Sequence, residues 1–198
     1  MEPEGLITDQ FSSFFDSKIN IRFPYGETEV EKTVMISIFI QQEDDQLSAV
    51  GLRLYDDDDL QFLYESRYTE EEFNTMKENQ GLEIEYEDFP NVIREVITEI
   101  SQDAGNQLAY TIRFVTSADN ENSASLVISQ SLDFCETDIF EFDFHKCTFD
   151  KIAAVAQKRY DEIATKAKNA FIELKDAHKR IQRQDPKAIH SFKLPSEK

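Results

Sequence analysis

The residue types that could do chemistry are abundant in this chain but poorly arranged for it. Asp56–Asp59 is a run of four carboxylates, and carboxylate oxygens are the ligands that Ca²⁺ prefers. The run lacks the glycine and the spaced later glutamate of an EF-hand loop, so the four side chains cannot all face one ion, and a solvated turn is the favoured interpretation. His145, His178 and His190 have no cysteine or second histidine at ligand spacing, which gives a zinc site little support.

The sequence gives no support for a catalytic nucleophile or for a phosphate-binding loop. Cys135 and Cys147 are the only cysteines, lack a Cys-x-x-Cys arrangement, and are expected to be buried apolar groups in a reducing compartment. The five glycines are dispersed and cannot form a phosphate-binding loop. In a chain with 40 acidic side chains, paired carboxylates carry no information about catalysis. The sequence therefore predicts a non-enzyme with no catalytic residues, no metal and no cofactor.

The charge is divided unevenly along the 198 residues. Residues 151–198 contain 12 Lys+Arg and 6 Asp+Glu, a net charge of +6, whereas residues 1–150 contain 9 and 34, a net charge of −25. An acidic head of this kind repels phosphate backbones, which disfavours nucleic-acid binding by the head. No stretch approaches the roughly 20 apolar residues of a membrane span, and the N-terminus lacks the order of a signal peptide. We therefore expect a cytoplasmic protein with neither nucleic acid nor membrane as a partner.

The spacing of apolar residues changes near Thr148. Before it, apolar and polar residues alternate as in half-buried strands. The clearest segments are Ile19–Phe23, Val34–Ile40, Val50–Leu54, Leu108–Phe114 and Phe140–Phe144. Leu82, Ile84 and Tyr86 alternate in the same way and predict one more strand. After Thr148 the alternation stops, which indicates a helical C-terminal part.

Two short helices are predicted between the strands. Thr69 followed three residues later by Glu72 is a capping box, and Gly81 suits the left-handed position at a helix end. Pro90 is tolerated in a first helical turn, and the apolar residues after it recur at helical spacing up to Ile100. The predicted fold class is α+β. It comprises an antiparallel β-sandwich or barrel-like head over 1–148, a C-terminal helix over 149–184 that begins a coiled coil, and a disordered tail over 185–198.

The motifs between residues 50 and 100 occur in a recognisable order. They are Asp-Asp-x-Asp-x-x-Phe-Leu-Tyr, then Glu-Glu-x-Phe, then Gln-Gly-Leu, then Asp-Phe-Pro. The residues concerned are Asp56, Asp57, Asp59, Phe62, Leu63, Tyr64, Glu71, Glu72, Phe73, Gln80, Gly81, Leu82, Asp88, Phe89 and Pro90. This signature segment resembles that of the spindle assembly abnormal protein 6 family of centriole cartwheel proteins. The resemblance is dense over the segment and continues more weakly through residue 150.

Phe134 is a candidate for binding a partner. It lies in a predicted loop, Ser131–Asp138, where no strand face is available to bury it. Folding back onto the core is one interpretation. The resemblance implies another, because in the family a loop between the last head strands presents a bulky apolar residue to a pocket on a second head, reciprocally. Phe134 falls at the matching place, and the pocket residues stay unassigned.

The C-terminal helix carries a second candidate surface. Its apolar residues recur at alternating intervals of three and four, the spacing of a heptad seam. The seam consists of Tyr160, Ile163, Ala167, Ala170, Leu174, Ala177 and Ile181. Three of the seven are alanines, which bury little area, so a helix packed on its own head and a dimeric coiled coil both fit the pattern. The resemblance implies the coiled coil.

The resemblance implies a non-enzymatic structural scaffold that self-assembles. Family members dimerise through a long coiled coil and pair their heads through a second two-fold contact, so the assembly propagates into a ring or a filament. The expected place is the centriole or basal-body cartwheel, with other centriolar proteins as partners. The helix here is short, as in paralogues of flagellar or apical structures that lack the long coil; a fragment of a longer chain is equally compatible. The alternatives are a DNA end-joining scaffold, which shares the head-plus-helix fold, and an unrelated acidic binding domain.

Overall fold

The structure, a computed structural model, describes residues 6–25, 28–102, 110–117, 120, 122–131 and 135–184. Within those ranges lie seven strands and three helices. The strands are β1 (Ser12–Tyr25), β2 (Thr28–Glu43), β3 (Gln46–Tyr55), β4 (Leu63–Tyr68), β5 (Tyr110–Thr116), β6 (Ser123–Ser131) and β7 (Glu136–Lys146). The helices are α1 (Glu70–Gln80), α2 (Phe89–Gln102) and α3 (Phe149–Gln184). The chain divides into two compact units, residues 1–152 and residues 153–198.

The seven strands form a closed barrel in the order β1-β2-β3-β4-β7-β6-β5. Neighbouring strands pair antiparallel except at the closure, where β1 and β5 run parallel. Among the described residues that closure is a single pair, Arg22 opposite Arg113. The predicted α+β class, with an antiparallel barrel-like head, two short helices and a following helix, is confirmed. The order departs from a simple meander because β4 pairs with β7, while α1 and α2 are inserted between β4 and β5.

The alternation along the strands places one set of side chains inside the barrel. Ile36 of β2, Leu52 of β3 and Phe142 of β7 are fully buried. α1 and α2 add Phe73 and Phe89 to the same core, with 4.7 Å between their ring centroids. Burial of this apolar area is the main stabilising contribution to the head.

α1 and α2 begin and end where their sequences indicate. The hydroxyl of Thr69 accepts the backbone N–H of Glu72, and the carboxylate of Glu72 accepts the backbone N–H of Thr69 at 2.7 Å, which completes the capping box. Gly81 ends α1 with φ 67°, a left-handed conformation that costs glycine no steric penalty. α2 buries Phe89, Ile93, Ile97 and Ile100. Both predicted helices are confirmed.

The strand predicted at Leu82–Tyr86 is not formed. This segment connects α1 to α2 without pairing to any strand of the described chain. Its alternation is nevertheless real, because Tyr86 is buried while Leu82 and Ile84 are half-buried against the core. The hydroxyl of Tyr86 donates to the carbonyl of Tyr68 at 3.0 Å. The alternation of apolar residues here therefore reflects burial of one side of an extended connection and not pairing with another strand.

α3 spans Phe149–Gln184, 36 residues, the range over which the sequence predicts a helix. Asp150 lies in its first turn, where a negative side chain interacts favourably with the helix dipole. The backbone N–H of Ile152 donates to the carbonyl of Thr148 at 2.9 Å. The predicted disordered tail, 185–198, lies outside the described residues.

Candidate assembly surfaces

The loop between β6 and β7 carries the first predicted surface. β6 ends at Ser131 and β7 begins at Glu136, and these two residues are paired across the hairpin. Phe134 itself lies outside the described residues. Cys135, next to it, is exposed. The expectation that both cysteines are buried is therefore wrong for Cys135, because it precedes β7 and has no strand face to cover it.

A cavity of about 150 Å³ lies beside the barrel closure, at the end that carries this loop. Three isoleucines form its apolar part, Ile19 of β1, Ile100 of α2 and Ile112 of β5. The rest of the lining is polar and includes Lys18, Arg22, Glu31, Thr33 and Tyr110. The hydroxyl of Tyr110 donates to the carboxylate of Glu99 at 3.2 Å. Burial, followed by that carboxylate, raises the pKa of Tyr110. The cavity has no sequence signal, because residues distant along the chain build it.

The predicted seam residues all lie on α3 and are all exposed. Tyr160 is 69% exposed, Ile163 62%, Leu174 46% and Ile181 38%. The alanines of the seam are Ala167, Ala170 and Ala177. Exposed apolar side chains repeating at heptad spacing along one helix form a stripe that a second helix can cover.

Two further apolar residues lie beside the seam and were missed by the heptad pattern. Phe171 is half-buried, with the ammonium of Lys175 4.4 Å from its ring centroid, one helical turn away. Ile172 is 49% exposed. A strict search for the two core positions omits both, although Phe171 is three residues before Leu174 and so widens the stripe.

Glu65 of β4 is a buried carboxylate, 1% exposed, that joins three parts of the head. It accepts from Arg53 of β3 at 2.9 and 2.7 Å and from the backbone N–H of Ile7 at 3.1 Å. The ammonium of Lys151, in the first turn of α3, lies 3.9 Å from the same carboxylate and also donates to the carbonyl of Ile7. The cluster holds the segment before β1 and the beginning of α3 against β4.

A glycine makes room for that segment. A Cβ atom at Gly51 would lie 2.9 Å from Cγ1 of Ile7 and 3.3 Å from the ring of Phe11, closer than side chains normally approach. Ile7 is buried at this contact. Gly51 is therefore required by close approach and not by a special backbone angle.

Cys147 lies near the Glu65 cluster but is not a nucleophile. Burial, followed by the negative charge of Glu65, raises the pKa of its thiol to about 12. The reactive form of cysteine is the thiolate, so this side chain stays a neutral thiol at physiological pH. Its role is structural, and its backbone N–H donates to the carbonyl of Leu63 at 2.9 Å.

The signature segment fastens α1 to β7. The amide of Gln80 bonds both backbone groups of Glu141, donating at 2.7 Å and accepting at 3.0 Å. The hydroxyl of Tyr68 accepts the backbone N–H of Asp143 at 3.1 Å. Burial is the largest cause of the raised pKa of Tyr68. These side chains take the place of strand pairing where β4 and β7 separate.

The acidic turn of the segment, Asp56–Asp59, is mostly exposed. The carboxylates of Asp56 and Asp59 accept the backbone N–H groups of Asp58 and Gln61 at 2.9 and 3.0 Å, as turn-forming aspartates do. In the part of the chain that the structure describes, no three His, Cys, Asp or Glu side chains are grouped to hold a metal ion. No helix in that part is long and apolar enough to cross a membrane.

Comparison with known proteins gives the fold a context. An N-terminal fragment of Leishmania SAS-6 that contains part of its coiled coil is similar with a TM-score of 0.70 and 16% identity, over 85% of this chain and 98% of that chain. The N-terminal coiled-coil dimer of C. elegans SAS-6 gives 0.61 and 16%, over 81% and 94%. The N-terminal domain of Leishmania SAS-6 gives 0.60 and 17%, over 70% and 99%. At these identities the likeness establishes the fold alone.

The sequence itself establishes the family. A search of curated protein sequences found no match. The family model of the centriolar protein SAS N-terminal domain matches residues 13–144. This range runs from the first residues of β1 to the last residues of β7 and includes the whole signature segment. As the order of motifs in that segment predicts, the chain belongs to the centriolar protein SAS family and carries its N-terminal head domain.

Proposed function

We propose that the chain is a non-enzymatic structural scaffold that self-assembles in the centriole or basal-body cartwheel, or in a flagellar or apical cytoskeletal structure. The family match over residues 13–144 carries this proposal. Two related structures, described as a coiled-coil dimer and as a stabilised dimer of C. elegans SAS-6, support self-association. The partners are other copies of the chain and other centriolar or flagellar proteins.

The first contact joins two heads through Phe134 and the cavity beside the barrel closure. Tyr110, on the rim of the cavity, pairs with Gln130, one residue before β6 ends, so loop and cavity belong to the same end of the barrel. The cavity, of about 150 Å³, is large enough for a phenyl ring, which would contact Ile19, Ile100 and Ile112. Two heads related by a two-fold axis can each supply a ring and a cavity.

The second contact joins two α3 helices along the seam. Tyr160, Ile163, Leu174 and Ile181 present exposed apolar area there, and the alanines between them let the helices approach closely. Three heptads dominated by alanine bury little area, so this contact is weak unless Phe171 contributes.

Two different two-fold contacts on one chain lead to a propagating assembly. If the axes are not parallel, each added copy exposes a new unsatisfied contact, and the result is a ring or a filament. A single inserted phenylalanine contributes about 1.5–3 kcal/mol of apolar transfer. Each contact is weak alone, and repetition raises the effective affinity.

The head contact is tested by analytical ultracentrifugation of matched variants. Phe134→Asp should abolish concentration-dependent association of heads without changing the circular dichroism. Ser101→Phe, which fills the cavity from α2, should have the same effect. Leu60→Asp, at an exposed side chain in the acidic turn, is the matched control and should associate as the parent does. If the Phe134→Asp variant still associates, Phe134 is not part of the head–head interface.

The place of action is tested by localisation of the tagged chain. A scaffold of this family should accumulate at basal bodies or at the flagellar or apical apparatus. Phe134→Asp, expressed at the same level, should lose that accumulation. Nuclear foci after DNA breaks would instead support the repair-scaffold alternative, and a diffuse cytoplasmic signal of the parent chain would oppose both.

A further inference from the structure

The hairpin of β1 and β2 extends beyond the end of β3. The last pair between β2 and β3 is Met35 opposite Tyr55, whereas β2 begins seven residues earlier, at Thr28. In the described part of the chain, no strand pairs with the outer edge of Thr28–Val34. The six residues 28–33 are all exposed. At about 3.3 Å per residue they offer a free strand edge about 20 Å long.

The backbone groups of this edge point outward at alternate residues. Pro24 of β1 is opposite Glu29 and has no N–H to donate. The two residues therefore form a non-hydrogen-bonded pair, one of the two types of residue pair that alternate along an antiparallel ladder. Because the two types of pair alternate, Glu31 and Thr33 share the orientation of Glu29. The N–H and C=O groups of these three residues therefore face away from β1, toward the unpaired side.

The side chains of the edge differ between its two faces. Glu29 and Glu31 lie on one face, where Glu29 is 3.8 Å from Arg22 and remains half exposed. Val30 lies on the other face and is 43% exposed. Tyr25 of β1 shares that face and is 77% exposed. Lys32 also lies on that face, with its ammonium 5.9 Å from the centroid of the Phe23 ring. An incoming strand would thus meet carboxylates on one side and, on the other, the apolar side chains of Val30 and Tyr25 together with Lys32.

We propose that this edge binds an extended segment of another protein whose residues alternate between basic and apolar, by addition of a strand to the barrel. Main-chain hydrogen bonds to Glu29 and Glu31 supply the affinity, and the alternating side chains supply the specificity. A second copy of this chain is disfavoured, because antiparallel pairing of two such edges places glutamate opposite glutamate. The acidic turn Asp56–Asp59, which follows β3 where it leaves the edge, adds to the attraction for a basic segment.

This surface adjoins the proposed head contact, because Glu31 and Thr33 of the β2 edge also line the cavity beside the barrel closure. β1 runs parallel to β5, and β6 runs antiparallel to β5. The β1–β2 turn and the β6–β7 loop therefore lie at opposite ends of the barrel. Strand addition uses the outward backbone groups of Glu29 and Glu31, whereas the head contact uses the cavity, so peptide binding by the Phe134→Asp chain tests strand addition without head pairing.

The test uses the whole chain and a synthetic, end-capped hexapeptide, Lys-Val-Lys-Val-Lys-Val. Binding should shift the NMR signals of the Glu29 and Glu31 amides and slow their hydrogen exchange, and it should weaken as salt is added. Glu-Val-Glu-Val-Glu-Val, and the basic peptide with proline at its fourth position, should bind about tenfold more weakly or not at all.

Two variants distinguish the contribution of the backbone hydrogen bonds to peptide binding from that of the glutamate charges. Glu31→Pro removes one outward N–H without removing a hydrogen bond to β1, and should weaken peptide binding about tenfold or more. The double variant Glu29→Gln with Glu31→Gln keeps every N–H and should weaken binding of the basic peptide by about tenfold. If Glu31→Pro does not fold, the double variant and the exchange data still decide.

Three results would overturn the proposal. They are signal changes that map away from residues 28–33, equal binding of the acidic and basic peptides, and protection of the Glu29 and Glu31 amides that grows with protein concentration in the absence of peptide. The last result would identify the occupant as a second copy of the chain. Loss of association in Phe134→Asp, by contrast, concerns the head contact alone.

Discussion

The barrel and α3 use their apolar residues in opposite ways. In the barrel they alternate along strands and are buried inside one unit, as at Ile36, Leu52 and Phe142. Along α3 they repeat at heptad spacing and are exposed, as at Tyr160 and Ile163. Most helices in proteins are stabilised by packing of an apolar face and not by intrinsic propensity. The barrel therefore buries its apolar residues within its own unit, whereas the apolar stripe of α3 is left exposed.

The largest effect that would test this difference is removal of a ring from the barrel. Phe89→Ala deletes a fully buried side chain, and such changes cost about 3–5 kcal/mol of the free energy of unfolding. Ile163→Ala, at a side chain exposed on α3, should change that free energy for the head by less than about 0.5 kcal/mol. Urea unfolding followed by circular dichroism measures both. Similar losses in the two variants would contradict the distinction.

The buried carboxylate of Glu65 should give the next largest effect. Glu65→Gln leaves Arg53 without its anionic partner, and hydrogen bonds to charged groups contribute about 1.5–3 kcal/mol. Hydrogen exchange at the Ile7 amide should become faster, because its acceptor is weakened. Glu29→Gln, at a half-exposed ion pair, is the control and should cost less than about 1 kcal/mol. An unchanged Ile7 amide would show that Glu65 does not hold the N-terminal segment.

Alkaline pH should weaken the barrel through its buried tyrosines. Burial is the main cause that raises the pKa of Tyr86 from 10 to about 12. The protonated form is thus favoured in the folded state, so this stabilisation is complete below pH 10 and is lost as the pH rises to about 12. Tyr86→Phe should make the fall in unfolding free energy less steep, by at most about 1.4 kcal/mol per pH unit. Tyr25→Phe, at an exposed ring, is the control, and an unaltered slope in Tyr86→Phe would refute the assignment.

The helix cap of α1 should give the smallest effect. Thr69→Ala removes the hydroxyl that accepts the Glu72 N–H, and loss of such a cap costs about 1 kcal/mol. Thr75→Ala, in the middle of the same helix, removes a hydroxyl that bonds to the carbonyl of Glu71 and should be neutral or slightly stabilising. Thermal unfolding of the pair distinguishes the cap from a general effect of losing threonine.

Local patterns predicted most of the head, because local physics determines them. The alternation at Val50–Leu54 and Phe140–Phe144, the Thr69–Glu72 box and the Gly81 cap all reappear in the structure. The prediction of a strand at Leu82–Tyr86 was wrong because alternation of apolar and polar residues indicates burial of one side of the segment. It does not show that a partner strand lies beside it. Whether an extended segment becomes a strand depends on what lies beside it.

The parts of the candidate sites that could not be predicted are those built by residues far apart in sequence. The cavity beside the closure joins Ile19, Ile100 and Ile112, none of which is distinctive in its own segment. In the sequence Glu65 is indistinguishable from other charged strand residues. Its contacts with Ile7 and Lys151 arise only because the fold brings these two residues together from the two ends of the head. The spacing of the predicted seam residues could be read from the sequence, because all of them lie on one helix, and their role as an interface stays a prediction.

The single parallel pair between Arg22 and Arg113 has a mechanical consequence. The other six junctions of the wall are antiparallel, whereas this one is, among the described residues, bridged at one position only. A fluctuation or a pulling force that separates β1 from β5 would open the cylinder into a curled sheet and leave every antiparallel ladder intact. Such partial opening costs less free energy than global unfolding. Among the described residues the barrel is thus a rolled sheet closed at one bridge, and a force that pulls β1 away from β5 would act on that bridge.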